Sequence, residues 1–339
     1  MACLKMKKAI LAFGLLGAHA ITVCAQADVV TYGVVDIGVA HEKNSSLNGS
    51  VTRMDSGIFN GNRLGIKGAE DFGAGVSAVF TLESGFTADT GVLGQGGLLF
   101  GRQAWVGLSG DLGVIQLGRQ RNTVYANAYV FDPFADALAG DSARLFNYSG
   151  YRSNNMVSYG YESNGLRGQL QYSLGEVVGN AAASSTRAGY AGYRKGPLDV
   201  VLTHHRTNNT AGNTGKATLI GGNYDFGMIK AFAAYAWNKG VRQDGSISHG
   251  ADIRSGLIGI TASIGDASTV MVSYIRLWDK VVSDANASQV AIGYVHDLSK
   301  RTALYASHSR LTNESNASYL VATEGLTAHL FNAGIRHKF

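Results

Sequence analysis

The sequence predicts an all-β chain, a 16-stranded antiparallel transmembrane β-barrel. Three observations indicate this fold class: an export signal, apolar residues that alternate along many segments, and short and long polar connections that follow one another in turn. Glycine is abundant at 45 residues and proline nearly absent at 2. Few prolines are expected in a closed sheet, because each barrel strand uses its backbone donors in the hydrogen-bond ladder.

The first 27 residues have the layout of a secretory signal peptide. Lysines precede an apolar stretch, and Ala25-Gln26-Ala27 has the small-x-small pattern of a cleavage site. We therefore expect residues 1–27 to be removed and residues 28–339 to form a single barrel domain. Both cysteines, Cys3 and Cys24, lie in the removed part. The mature chain would then have no thiol for a disulfide, a nucleophile or a metal site.

Composition excludes several other classes of protein. Removing the three lysines of the signal lowers the formal net charge from +5 to +2. So weak a basicity argues against nucleic acid binding, which needs a concentrated basic face. No mature segment contains the 18 or more apolar residues of a membrane helix. A β-barrel escapes this exclusion, because its strands alternate between lipid and a polar lumen and their hydropathy is near neutral.

Alternation is clear in the second predicted strand, NRLGIKGAE, residues 62–70. Leu64 and Ile66 lie on one face, and Arg63 and Lys67 lie on the other. Successive side chains of a strand point to opposite faces of the sheet. The apolar face is therefore expected to meet lipid and the basic face to line the lumen.

The connections between strands predict the topology. Short turns of outer-membrane barrels lie on the periplasmic side and long loops on the outside. Seven short and eight long connections separate sixteen strands, with both termini on the periplasmic side. The short turns are predicted at residues 71–75, 110–113, 163–165, 196–197, 225–227, 265–267 and 299–301, and the long loops near residues 43–60, 87–97, 122–153, 177–185, 208–215, 241–251, 281–287 and 313–326.

Four stretches resemble the general-diffusion porins of Gram-negative bacteria, especially the trimeric porins of β-proteobacteria. They are VTYGVVDIGVA, NRLGIKGAEDFGAGVSAVFTLESGF, LFGRQAWVGLSGDLGVIQLGRQ and NAGIRHKF. The resemblance implies an outer-membrane homotrimer in contact with lipid and lipopolysaccharide. It implies passive diffusion of ions and small hydrophilic solutes through a water-filled channel, with no enzymatic activity and no cofactor, and no residue is assigned as a metal ligand.

The resemblance also implies where the channel is narrowest. Porins of this family fold their third extracellular loop into the lumen, and residues 122–155, with Pro133-Phe134, occupy that place. The family places a basic cluster on the wall opposite the acids of this loop. Opposite charges across a narrow pore create a transverse field that favours polar solutes. The candidate constriction residues are basic on the wall and acidic on the loop: Arg63, Lys67, Arg102, Asp132, Asp136 and Asp141.

One feature of the family pattern is missing. Some members carry a further arginine in the sixth strand, near the position where this chain has residues 158–161. Arg119, Arg121 or Arg152 could take its place. The alternation of the strand puts Arg119 on the outer wall, in contact with lipid or another subunit.

The chain ends FNAGIRHKF, an alternating strand whose last residue is aromatic. In the family, such a terminal strand pairs with the first strand and closes the barrel, which removes both sheet edges from the hydrocarbon. The resemblance implies that Phe339 is the signal read by the outer-membrane assembly machinery. Phe331, Ile335 and Phe339 are expected to face lipid or a neighbouring subunit.

Other readings compete with a general-diffusion porin: a substrate-selective porin, an outer-membrane barrel enzyme or an adhesin. Residues 73–78 match the dinucleotide pattern G-x-G-x-x-A, but an alternating strand follows where that site needs a helix. Adjacent His204 and His205 face opposite sides of a strand, which disfavours a shared metal, and we interpret them as exposed rim residues. No Ser–His–carboxylate arrangement is evident in the linear sequence.

Overall fold

The structure, a computed structural model, describes residues 28–44 and 49–339. The predicted signal peptide, residues 1–27, lies outside the described residues. The chain forms a single antiparallel sheet in which the last strand segment pairs with the first, so the sheet closes. The segments are β1 (Asp28–Lys43), β2 (Ser50–Ser56), β3 (Arg63–Asp71), β4 (Ser77–Gly85), β5 (Gln103–Gly110), β6 (Gly113–Arg121), β7 (Arg152–Ser163), β8 (Leu166–Ser173), β9 (Thr186–Lys195), β10 (Leu198–Asn208), β11 (Thr214–Asp225), β12 (Ile229–Val241), β13 (Ile247–Ile264), β14 (Ser268–Asp279), β15 (Ala287–Asp297), β16 (Thr302–Asn313) and β17 (Thr327–Lys338).

The helices in the described part of the chain are few and short, and they lie in loops. Among the described residues, no helix is long and apolar enough to cross a membrane. The helical segments are α1 (Gly94–Gly97), α2 (Thr123–Ala126), α3 (Ala128–Phe131) and a 3-10 turn (Ser142–Arg144).

The seventeen segments fill sixteen positions around the barrel, because β2 and β3 share one. The outer half of β1 pairs with β2, and the inner half pairs with β3. The prediction of a long loop over residues 43–60 is therefore wrong: β2 continues the sheet, and β1 and β2 are joined by residues 44–49 alone. The prediction failed because the β2 sequence, SVTRMDS, is as polar as a typical loop.

The remaining connections follow the predicted order of short turns and long loops. The turn at residues 72–76 contains the start of the G-x-G-x-x-A match, with Gly73, Ala74 and Gly75 at positive φ. A left-handed backbone of this kind favours glycine. Strand β4 follows at Ser77, which confirms a hairpin rather than a nucleotide-binding turn.

Apolar side chains cover the outside of the barrel, as alternation predicts. Leu64 and Ile66 on β3 are exposed, as are Phe331 and Ile335 on β17. The side chains of opposite parity point into the lumen. His205 belongs to that inner set and is buried, whereas His204 is exposed on the outer face. The expectation that both histidines are exposed is wrong for His205.

The C-terminal residue closes the barrel. Phe339 exchanges two backbone hydrogen bonds with Gly33 of β1, at 3.0 and 3.1 Å. Its ring lies against Gly33, where an added Cβ would be 2.2 Å from the ring. The absence of a side chain at residue 33 is therefore what allows the terminal ring to lie flat on the outer wall.

Candidate pore constriction

The long loop between β6 and β7, residues 122–151, folds into the barrel and packs against its far wall. Its apolar residues form much of the buried core, with Phe131, Phe134 and Phe146 almost fully buried. Three glycines of the wall leave room for the loop. In close contacts, Phe131 meets Gly221 of β11, Pro133 meets Gly259 of β13, and Phe134 meets Gly293 of β15.

Replacing Gly293 with alanine should displace this loop. The new Cβ would lie 2.8 Å from Cε1 of Phe134, so the ring must move, and overpacking of this kind costs about 1–3 kcal/mol. We expect a lower unfolding temperature in detergent and an altered single-channel conductance. Gly160→Ala is the matched control, because its Cβ would meet its nearest neighbour at an ordinary 3.4 Å. Equal behaviour of the two variants would contradict the packing role of Gly293.

A second inward segment, residues 57–62, joins β2 to β3 and faces the loop. Buried Asp36 of β1 holds it in place. The Asp36 carboxylate accepts hydrogen bonds from the backbone N–H groups of Phe59 and Asn60, at 3.0 and 2.6 Å, and from the Tyr305 hydroxyl at 2.6 Å. A buried carboxylate that accepts several hydrogen bonds holds the donating backbone groups in place.

The loop crosses the lumen and is bonded to this segment. The backbone N–H of Leu138 donates to the carbonyl of Ile58 at 2.8 Å. The next residue, Ala139, donates to the Ser307 hydroxyl of β16 at 2.9 Å. The loop therefore spans the barrel from its attachment at β6 and β7 to the wall near β16 and β1.

Between loop and wall lies a polar cleft of about 390 Å³, which we call the lumen cleft. Its wall side carries four arginines: Arg63, Arg102, Arg121 and Arg152. The structure thus brings together two predicted residues, Arg63 and Arg102, and two of the suggested substitutes for the missing arginine. Arg119 lies apart, where it donates to the Gly101 carbonyl at 2.7 Å and to Asn154 at 2.6 Å.

Buried Glu83 of β4 positions the arginines, and sequence reasoning missed it. Its carboxylate accepts a 2.7 Å hydrogen bond from Nε of Arg102 and a 2.9 Å bond from the Tyr32 hydroxyl. The signal was present, since Glu83 shares a face of its strand with other polar residues. Lys67 lies over the Tyr32 ring, 5.6 Å from its centroid, and is not among the residues lining the lumen cleft.

The three predicted acids of the loop divide into two groups. Asp136 and Asp141 line the lumen cleft. Asp132 is buried behind them and accepts backbone hydrogen bonds from Phe134, Asp136 and Ser142, at 2.9, 3.3 and 2.9 Å. The geometry of Asp132 is that of a residue that holds the shape of the loop.

The two acids of the lumen cleft are hard to ionise together. Burial, and then the neighbouring carboxylates, raise the pKa of Asp136 to about 9. Burial, and then the charge of Asp132, raise the pKa of Asp141 to about 7. Closely coupled carboxylates cannot both carry charge at low cost. Near neutral pH the loop therefore carries less negative charge than its sequence indicates.

This titration predicts a pH-dependent ion preference. As pH falls from about 9 to about 6, protonation of Asp136 and Asp141 removes negative charge, so the chloride-to-potassium permeability ratio should rise. The reversal potential in a potassium chloride gradient, measured across this pH range, tests the prediction. Asp136→Asn should flatten the curve, whereas Asp111→Asn, in the exposed turn after β5, should leave it intact. An unchanged pH curve in the Asp136 variant would count against the assignment.

Known proteins resemble this chain over nearly its whole length. The model of the Gram-negative porin family matches residues 11–316. An outer membrane porin protein of Bordetella pertussis is 32% identical over 98% of this chain and all of the relative. Outer membrane porin protein 32 of Delftia acidovorans is 30% identical, with the same coverage.

A solved structure described as an anion-selective porin from Comamonas acidovorans superposes with a TM-score of 0.82. It is 27% identical and covers 93% of this chain and 100% of its own. OmpF of Salmonella typhi matches with a TM-score of 0.71 at 15% identity, over 92% of this chain and 97% of its own, which shows the shared fold. The barrel and its inward loop agree with the family model and with the similar proteins. The chain therefore belongs to the Gram-negative porin family.

Proposed function

We propose that this outer-membrane channel for passive diffusion favours small anions, and that the lumen cleft is its constriction. The observation that carries the proposal is the arrangement of charge. Four arginines line one side of the cleft, while Glu83 is buried behind them and the two facing acids have raised pKa values. The resulting field attracts anions into a narrow, low-dielectric passage.

The individual roles follow from geometry. Arg63, Arg121 and Arg152 would meet passing anions, since they line the cleft. Among the described residues Arg63 and Arg152 form no ion pair, and Arg121 reaches Glu83 only at 4.0 Å. The side chain of Arg102 is almost fully buried against Glu83. Arg102 therefore contributes positive charge to the cleft and holds this part of the wall in place. Lys67 would add positive potential four residues further towards the periplasm, roughly 13 Å along the strand.

Neutralising the accessible arginines tests the proposal. In a variant with Arg63→Gln, Arg121→Gln and Arg152→Gln, the chloride-to-potassium permeability ratio should fall by about tenfold, because the positive potential that concentrates anions is lost. The control replaces three exposed basic residues outside the lumen, Lys195, Lys239 and Lys280, with glutamine. Equal ratios in the two variants would contradict the assignment of the constriction.

A homotrimer is the assembly we propose for this porin. The connection between β4 and β5, residues 86–102, presents an exposed apolar group: Val92, Leu93, Leu98 and Leu99. Exposed patches of this kind commonly mark contacts between proteins. Conductance steps that appear in groups of three, in planar bilayers, would support the trimer.

The terminal ring is proposed as the assembly signal. Phe339 is half-exposed on the outer wall and follows the periplasmic end of β17, beside the short turn between β15 and β16, where the assembly machinery could reach it. The outer wall would contact membrane lipid and lipopolysaccharide. The family points to a channel without enzymatic activity.

A further inference from the structure

A second basic group lies in the lumen, beside the lumen cleft. Arg167 of β8 and Arg194 of β9 each lie one residue from the strand end that meets a short turn. The arginines of the cleft lie at the opposite level; Arg63 is the first residue of β3 and Arg121 the last of β6. The second group is therefore on the periplasmic side of the cleft.

Tyr129 of the inward loop joins the two arginines. Its hydroxyl oxygen accepts a hydrogen bond from Arg167 and one from Arg194, both at 2.7 Å. Both guanidinium groups also lie beside its ring, 6.0 and 5.8 Å from the centroid. Since two donors face the oxygen, the hydroxyl proton must point away from them. It remains available to a solute.

Arg167, Arg194 and Asp199 together carry one net positive charge. Asp199 of β10 pairs with Arg194 at 2.8 Å and also with Arg167, so two guanidinium groups share one carboxylate. Glu162 is the cross-strand neighbour of Arg167, but forms no ion pair with it within the described residues. Arg167 is buried and supports the group from behind. Arg194 exposes 46% of its side chain and Tyr129 is 48% exposed.

The group continues directly from the lumen cleft. Tyr129 also lines the cleft, and Tyr125 of the preceding short helix α2 packs beside Arg121 and Arg152, whose guanidinium groups lie 5.7 and 5.1 Å from the centroid of its ring. Tyr125 lines the cleft as well, so the two tyrosines join the cleft arginines to the second basic group. An anion that leaves the cleft arginines therefore meets a second set of donors beside the same cleft.

We propose that Tyr129 and Arg194 form a second anion-binding site on the periplasmic side of the cleft, and that it holds aromatic carboxylates. A carboxylate matches the planar fork of an arginine, and an aromatic ring can stack on the exposed Tyr129 face. The inference rests on the proposed anion preference of the channel, and it adds a solute class and a binding position.

Block by benzene-1,3,5-tricarboxylate tests the site in single channels. The sidedness of each channel is assigned by cleaving a protease tag inserted at residues 209–213. We expect Arg194→Gln to raise the half-blocking concentration from the periplasmic side about tenfold, which corresponds to about 1.4 kcal/mol. Lys195→Gln removes the same charge from the adjacent, outward-facing position and should leave the block unchanged. Arg194→Lys should give an intermediate value.

These outcomes distinguish a binding site from a residue that only holds the loop in place. If Arg194→Gln fails to form channels, Arg194→Lys carries the test, because it keeps the charge and changes the fork geometry. Equal shifts for Arg194→Gln and Lys195→Gln would overturn the site, since only a long-range field would then be acting. A channel that prefers potassium, yet loses periplasmic block in Arg194→Gln, would refute the proposed anion preference and leave this site standing.

Discussion

Glu83→Ala should cost about 3–5 kcal/mol of unfolding free energy, because it leaves the nearly buried guanidinium of Arg102 without its partner. The Glu83 carboxylate also accepts a hydrogen bond from the Tyr32 hydroxyl and lies 4.0 Å from Arg121. Three side chains of the wall, those of Arg102, Tyr32 and Arg121, therefore lose a shared partner. The positions of the cleft arginines should become less defined, and open-channel current noise should increase. Urea unfolding in detergent, followed by circular dichroism, measures the loss of stability.

The matched control is Glu70→Ala. Glu70 is exposed at the end of β3, and removing an exposed carboxylate usually changes stability by less than about 0.5 kcal/mol. If the two variants unfolded at the same urea concentration, the account of a buried ion pair organising the wall would be wrong.

Asp36→Ala is expected to widen the pore. It removes the acceptor for the Phe59 and Asn60 amides and the Tyr305 hydroxyl, and each unsatisfied buried donor costs about 1–3 kcal/mol. The segment at residues 57–62 would then leave its place, and the loop would lose a bonded neighbour. Conductance should rise, and larger polyethylene glycols should enter the channel.

Asp28→Ala, at the exposed start of the same strand, serves as the control and should leave the size limit unchanged. Asp36→Asn keeps one carbonyl acceptor of similar shape, so it should give an intermediate size limit. A variant Asp36→Ala that excludes the same polymers as the unmodified protein would show that the segment is held by other contacts.

The barrel could be predicted from the sequence because its signals are local. Alternation within one strand separates Leu64 and Ile66 from Arg63 without knowledge of any other strand. Short turns such as Gly196-Pro197 carry their own conformational preference. These two kinds of information suffice for strand number, topology and wall faces, but not for β2, whose polar residues lack an apolar face.

The lumen could be predicted only in part, because its contacts join distant residues. Ala139 is hydrogen-bonded to Ser307, 168 positions away in the chain, and Asp36 is hydrogen-bonded to Tyr305, 269 positions away. No local pattern encodes such pairs. Arg63 and Arg102 could be predicted from strand alternation and from the resemblance to porins. The burial of Asp132 could not, because it depends on how the loop turns back on itself.

The most direct test of the central claim is the reversal potential of single channels of the unmodified protein in a potassium chloride gradient at neutral pH. The account predicts stepwise, ion-conducting channels whose reversal potential lies towards the equilibrium potential of chloride. A reversal potential towards that of potassium would contradict the positive constriction, and bilayers that never show conductance steps would contradict the channel itself.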